Sequence, residues 1–141
     1  MKHNSMEKIN LHKLPKWQQP IVERSIITAE QFIKDKYDID CFDLVTLKCS
    51  NTCRFAKYMI GDGLIRLDLK RNYIKLYERK TLGVYKANID NVGLETSYTC
   101  QLIHELTHFI QDIEDRCFSE VETTKNELQY LKSIGIILDN K

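Results

Sequence analysis

Two of the chain's four histidines stand four residues apart, with a glutamate directly after the first, in the run HELTH from His104 to His108. A helix places residues at this spacing one turn apart on the same side. That separation suits two ligands of a tetrahedral zinc ion. Bound zinc lowers the pKa of water from about 15.7 toward about 7. Glu105 could then take the proton as a general base and return it to a leaving amine. The pattern predicts a metal site with its own catalytic base.

The residues around HELTH have helical periodicity and predict a helix over 96–114. His104 and His108 fall on its polar side, with Glu105 beside them. The opposite side is apolar: Leu102, Ile103, Leu106, Phe109, Ile110 and Ile113. An alternative interpretation is therefore a solvated helix face with two surface histidines and no metal.

A third ligand is expected from the next predicted helix, over 119–133, in the run SEVETTKNELQYL. Its candidates are Glu120, Glu122 and Glu127. In a simple antiparallel hairpin, a rise of about 1.5 Å per residue returns a deeper residue to the level of His108, which favours Glu127. Ser119 and Glu122 have the form of a capping box, which gives Glu122 a structural role. These arguments leave the third ligand open.

HELTH resembles the signature of the zincin metallopeptidases, and residues 96–131 resemble their gluzincin branch, in which a glutamate on the following helix is the third ligand. The resemblance implies zinc ligation by His104 and His108, with Glu105 as general base. It favours Glu120 as the third ligand, because many zincins carry a small residue three positions later, here Thr123. Since no third histidine follows closely, the branch with H-E-x-x-H-x-x-G-x-x-H is excluded.

The rest of the chain predicts an α+β domain: an N-terminal helix, a small antiparallel sheet, the HExxH helix and the ligand-bearing helix, in a zincin-like order. Residues 1–16 are polar and predict a flexible arm, and 17–141 a single domain. Trp17 is expected to pack the first helix onto the sheet. The remaining elements are a helix over 19–36, strands over 42–48, 54–60, 64–70 and 73–79, and a loop over 80–95.

Composition excludes several classes of protein. The 141 residues include 21 basic and 20 acidic side chains, scattered along the chain, which does not fit a nucleic-acid binder that acts through bulk charge. No apolar run approaches the roughly 18 residues of a membrane span, and the N-terminus lacks a secretory signal. A cytoplasmic protein with five free thiols is expected. The run CSNTC, residues 49–53, predicts a turn, because one pair of cysteines is a weak zinc signal.

These observations together predict a zinc-dependent peptidase that acts on a peptide or protein substrate. A substrate could pair with an exposed strand edge, either LIRLDLK at 64–70 or its neighbour. Two alternatives remain: a zincin-like binding module without turnover, and a structural domain with surface histidines. The sequence carries no signal for an oligomeric state.

Overall fold

The computed structural model describes residues 13–41, 46–50, 57–59, 64–76, 87–89 and 92–136. Within these ranges the chain is mostly helical, and three packed helices form its bulk. The helices are α1 (Gln19–Tyr37), α2 (Leu94–Ile113) and α3 (Glu120–Ser133). The strands are β1 (Thr46–Ser50), β2 (Lys57–Met59), β3 (Leu64–Asp68), β4 (Ile74–Leu76) and β5 (Ala87–Ile89). Most of the predicted arm and of the CSNTC turn lies outside the described residues, so both stay predictions.

Helix α1 begins and ends close to the predicted 19–36. Pro20 lies in its first turn, where the missing amide proton costs nothing. Its buried face consists of four apolar residues at helical spacing and one serine: Val22, Ser25, Ile26, Ala29 and Ile33. The chain leaves the helix through Asp38, whose positive φ of 59° ends the helical path. Trp17 is 61% exposed, so the prediction that it packs the first helix onto the sheet is wrong.

The strands pair differently from the predicted antiparallel sheet. β3 lies between β1 and β2, antiparallel to β2 but parallel to β1. β4 and β5 form a separate antiparallel pair, and β5 lies inside the predicted loop 80–95. Turn residues indicate where a chain reverses, but they do not indicate which strand lies beside which. Because β3 is hydrogen-bonded on both sides, the run LIRLDLK does not offer the free edge considered for a peptide.

Helix α2 begins after Gly93, whose φ of 94° is a conformation that favours glycine. Side chains of α2 attach it to the end of β3. The amide of Gln101 accepts from the backbone N–H of Asp68 at 2.8 Å and donates to its carbonyl at 2.9 Å. The hydroxyl of Tyr98 donates to the carbonyl of Leu69. These bonds set the height of α2 relative to the sheet.

Helix α3 begins at Glu120, and Ser119 caps it by accepting from the backbone N–H of Glu122 at 3.2 Å. Gly135, with a φ of 90°, lies just past the end of α3, as its position in the sequence predicts. In the part of the chain that the structure describes, every helix is too short or too polar to span a membrane.

Candidate metal site

Helix α2 is buried around almost its whole circumference, because α1, α3 and the sheet all pack against it. The exposed fractions of Glu105 and His108 are only 5% and 6%. The alternative interpretation, a solvated helix face with two surface histidines, does not fit this burial. Ile113, expected on the apolar side, is instead 46% exposed. Burying a polar group without a partner costs roughly 1–3 kcal/mol, so a polar stripe inside a protein has to be matched by a second polar surface. Helix α3 supplies that surface.

Helix α3 runs back along α2 and carries Glu120 to the histidine pair. An Oε1 atom of Glu120 lies 2.5 Å from Nε2 of His108, and its Oε2 atom lies 3.5 Å from Nε2 of His104. One ligand atom from each of these three residues lies within 4.8 Å of the others. The group could hold a metal ion. The structure thus brings Glu120 to both histidines, as the resemblance implied.

The donor set fits a zinc ion in chemistry and approximately in spacing. Two imidazole nitrogens and one carboxylate oxygen are ordinary zinc ligands, and at metal–ligand distances near 2.0–2.1 Å two tetrahedral ligands lie about 3.3–3.4 Å apart. The 3.5 Å between His104 and Glu120 is close to this value, whereas the 2.5 Å between His108 and Glu120 is shorter. The exposed carboxylate of Glu120 would have to move slightly from His108 to admit an ion. The same donors also accept other divalent metals.

Glu127 lies on the other side of the His104 ring. Its Oε2 atom is 3.2 Å from Nδ1 of His104. An ionised carboxylate only accepts hydrogen bonds, so Nδ1 donates a proton to Glu127, and Nε2, on the side of Glu120, is the nitrogen available to a metal ion. Histidine ligands of metals are commonly held by such a carboxylate. Glu127 is therefore placed as the partner that orients His104. The argument from helical rise placed Glu127 level with His108. In the structure α3 brings Glu127 level with His104, one helical turn away.

The third candidate, Glu122, is engaged elsewhere. Its carboxylate forms two contacts with Arg116, at 3.0 and 3.2 Å, and accepts from Tyr37 at 2.6 Å and from Gln111 at 2.8 Å. Partial burial alone would raise the pKa of Glu122, but the bonds from Arg116, Tyr37 and Gln111 outweigh it and lower the pKa to about 2. These contacts tie α3 to α1 and α2, and they occupy Glu122 away from the histidine pair.

Glu105 lies beside the group of His104, His108 and Glu120 without being one of the three residues that could hold a metal ion. Its Oε2 atom is 3.9 Å from Nε2 of His104. Burial raises the pKa of Glu105 above its usual value, although the imidazoles of His104 and His108 oppose this shift. A carboxylate whose pKa is raised toward the working pH is a better proton acceptor. Its position and its basicity both suit the role predicted for it.

The electrostatic environment of His104 favours a cation. Burial alone would lower the pKa of His104, but the carboxylates of Glu127, Glu105 and Glu120 outweigh it and raise the pKa to about 9. Acidic side chains thus lie close to the His104 ring, whose Nε2 atom faces Glu120. A divalent cation at the same place would meet the same attraction.

Two residues of the site were not found from the sequence. Gln111 is fully buried, and its Oε1 atom lies 2.9 Å from Nδ1 of His108. Phe118 stacks on the His108 ring, with centroids 4.6 Å apart and planes 16° from parallel. The signals were present, since Gln111 follows His108 by three residues on one helix side, and Phe118 is an apolar residue directly before a helix cap.

Cys100 and Tyr130 lie on the same helices as the candidate site but belong to the core. Cys100, one turn before His104, is 2% exposed, and burial raises the pKa of its thiol well above the usual value. Tyr130 is also buried, and its hydroxyl lies beside Thr99 and Thr96 near the start of α2. Both observations agree with the structural roles that are commonest for buried residues of these types.

Comparisons of the chain with family models, curated proteins and solved structures found no match. The resemblance to zincins therefore rests on the residue pattern of 96–131 alone, and the arrangement of His104, His108 and Glu120 indicates possible metal binding without identifying an enzyme family.

Proposed function

We propose that the protein is a zinc-dependent hydrolase of peptide bonds, with His104, His108 and Glu120 as metal ligands and Glu105 as the proton-transferring group. One observation carries the proposal: three ligand atoms converge within 4.8 Å, while the buried carboxylate of Glu105, which is not one of the three, lies 3.9 Å from Nε2 of His104. A purely structural metal site closes its metal with four ligands and has no use for a buried base.

Each residue has a separate task in this proposal. When bound, zinc would supply a Lewis acid that makes water acidic and polarises a carbonyl. Glu105 accepts a proton from the attacking water and donates it to the departing amine, so it returns to its starting state after each turnover. With the metal bound, His104 and His108 would ligate through Nε2 and keep a proton at Nδ1, because the Nδ1 atom of each faces an acceptor oxygen.

Access to the site supports a substrate that arrives from the side of Glu120. The side chain of Glu120 is 50% exposed and that of His104 is 23% exposed, whereas Glu105 and His108 are covered. The covered residues thus form a floor and the ligand glutamate a rim. A peptide or protein substrate, as opposed to another carbonyl compound, is proposed from the likeness of HELTH to the zincin signature.

The decisive variant is Glu105→Gln, which keeps the size of the side chain and removes its basicity. We expect it to bind about one zinc per chain, like the wild type, because Glu105 is not a ligand. Hydrolysis of a mixed peptide library, followed by mass spectrometry, should fall by about 10²- to 10⁴-fold. His104→Ala/His108→Ala should lose both zinc and activity. The control Glu95→Gln changes a glutamate on the same helix that pairs with Arg24 at 2.8 Å, and it should keep both.

The outcomes separate the candidate functions. Zinc binding without any hydrolysis that depends on Glu105 would favour a metal-binding module without turnover. No stoichiometric metal in the wild type, even with zinc in excess, would overturn the site and the enzyme together.

A further inference from the structure

The side chain of Gln111 contacts one proposed ligand, His108, and the backbone of Ser119, the residue directly before another proposed ligand, Glu120. It is fully buried in α2 and contacts His108, both backbone groups of Ser119, and Glu122. We propose that Gln111 is a positioning residue of the metal site: it holds His108 in the tautomer that binds metal, and it fixes the start of α3, from which Glu120 projects. This inference rests on the proposed metal site and deepens it.

Three contacts independent of His108 determine which way the Gln111 amide faces. The backbone N–H of Ser119 donates to Oε1 at 3.1 Å, so that atom must be the oxygen. Nε2 donates to the carbonyl of Ser119 at 3.1 Å and to Oε1 of Glu122 at 2.8 Å, so that atom must be the nitrogen. A flipped amide would oppose donor to donor and acceptor to acceptor at all three contacts.

The orientation of the amide determines the tautomer of His108. Since the oxygen of Gln111 faces Nδ1 of His108 at 2.9 Å, Nδ1 must donate a proton. A proton held at Nδ1 leaves Nε2, the atom that faces Glu120, as the nitrogen that a metal ion would bind in place of a proton. Phe118 stacks on the same ring and restricts its rotation. Gln111 thus acts on His108 as Glu127 acts on His104, with an uncharged oxygen in place of a carboxylate.

The second action of Gln111 is on α3. In a complete capping box, the side chain of Glu122 would reach back to the backbone N–H of Ser119. Here Oε1 of Gln111 accepts from that N–H, and the Glu122 carboxylate is left to bind Arg116 and Tyr37. The residue before Glu120 is therefore held by a side chain of α2, the helix that carries both histidines. A displacement of Gln111 would move His108 and Glu120 relative to each other.

Gln101 offers a matched control on the same helix. It is 3% exposed and, like Gln111, pairs its amide with both backbone groups of another residue, in this case Asp68. It also donates to the hydroxyl of Ser97 at 3.1 Å. None of these partners belongs to the metal cluster, so Gln101→Met removes a comparable set of bonds without touching a proposed ligand.

The test compares the zinc affinities of wild type, Gln111→Met and Gln101→Met, measured by competition with a chromophoric chelator. We expect Gln111→Met to bind zinc about 10- to 100-fold more weakly, the usual effect of removing a group that holds a ligand. Gln101→Met should stay within about threefold of wild type, because its contacts share no partner with the ligands. The absorption spectrum of the Co²⁺-loaded protein should change in Gln111→Met and not in Gln101→Met, since it reports ligand geometry.

A second measurement needs no variant and remains decisive if Gln111→Met does not fold. Long-range ¹H–¹⁵N correlation in the zinc-loaded wild type should show the proton of His108 on Nδ1. A proton on Nε2 would overturn the inference, and so would equal zinc affinities of the two methionine variants. In both cases the metal site itself would remain. Failure of the wild type to bind zinc is a different result, which would overturn the proposed function and this inference with it.

Discussion

Glu127 and Glu120 have different roles at the His104 ring, and the sequence alone could not distinguish them. Glu127 faces Nδ1 of His104, whereas Glu120 faces Nε2 of the same ring. A carboxylate at Nδ1 of a metal-binding histidine orients the ring and increases its basicity, whereas a carboxylate beside Nε2 can bind the same metal ion as the ring. The two glutamates should therefore respond differently to the same substitutions.

We predict that Glu127→Leu weakens zinc binding by about 10- to 100-fold, because His104 loses the acceptor that holds its ring. Glu127→Gln should weaken it by no more than about tenfold, since the amide oxygen can still accept from Nδ1. Glu120→Gln, by contrast, replaces a charged ligand atom with a poor one and should behave like a ligand deletion. Competition with a chelator measures all three variants. If Glu127→Gln abolished binding while Glu120→Gln retained it, the two roles would have to be exchanged.

At the level of residues, the sequence predicted the part of the site that depends on local spacing. His104, Glu105 and His108 are neighbours on one helix, so their relation follows from helical geometry. Glu120 and Glu127 approach these residues only because α3 packs against α2. Which of the two glutamates faces Nε2 of His104 depends on the position of α3 along α2, which local spacing does not indicate. Gln111 was not predicted as a site residue, because a glutamine three residues after a histidine is common on any helix.

The elements were predicted better than their arrangement. The spacing of apolar residues locates α1 and α2 to within a few residues, since burial of one face is a local property. It did not show that α2 is covered on its polar side too, because that depends on the polar surface of α3. Nor did it show that β3 lies parallel to β1. A strand order is decided by contacts between distant segments, and turn residues carry no information about it.

The attachment of α3 to the other two helices should depend on pH through Glu122. The folded state lowers the pKa of Glu122 to about 2, so folding favours its ionised form. Its contribution to stability is then complete above the unfolded pKa of about 4.3 and is lost as the pH falls toward 2. We predict that Glu122→Gln is less stable than wild type at pH 6 and that this difference shrinks progressively below pH 4.5.

Urea unfolding of the two proteins at several pH values, with chelator present throughout, measures this difference without a contribution from metal. Glu114→Gln is the control, because it removes a more exposed carboxylate, 43% exposed, from the same Arg116. Its effect on stability should be smaller, as is usual for exposed ion pairs. A constant difference between wild type and Glu122→Gln across the pH range would contradict the role given to this carboxylate.

For the molecule as a whole, the candidate metal site is assembled from two helices that the unfolded chain does not bring together. Two residues of this candidate site lie on α2 and the third on α3, and the loop between the helices contains Arg116, which binds Glu122. The unfolded chain retains at most the local histidine pair, so it should bind zinc far more weakly than the folded protein. Ligands that bind only the folded state stabilise it in proportion to the logarithm of their concentration.

We therefore predict that zinc raises the Tm of the wild type and that a chelator reverses the change. At a free zinc concentration 100 times Kd, the stabilisation is about 2.7 kcal/mol. In a domain of this size that corresponds to a rise of roughly 5–15 °C. His104→Ala/His108→Ala should unfold at the same temperature with zinc and with chelator, because it keeps the helices and loses the site. Equal Tm values of the wild type in zinc and in chelator would mean that the contacts between the glutamates on α3 and the histidines stabilise the fold and do not bind metal. The convergence of His104, His108 and Glu120 would then be a feature of helix packing alone.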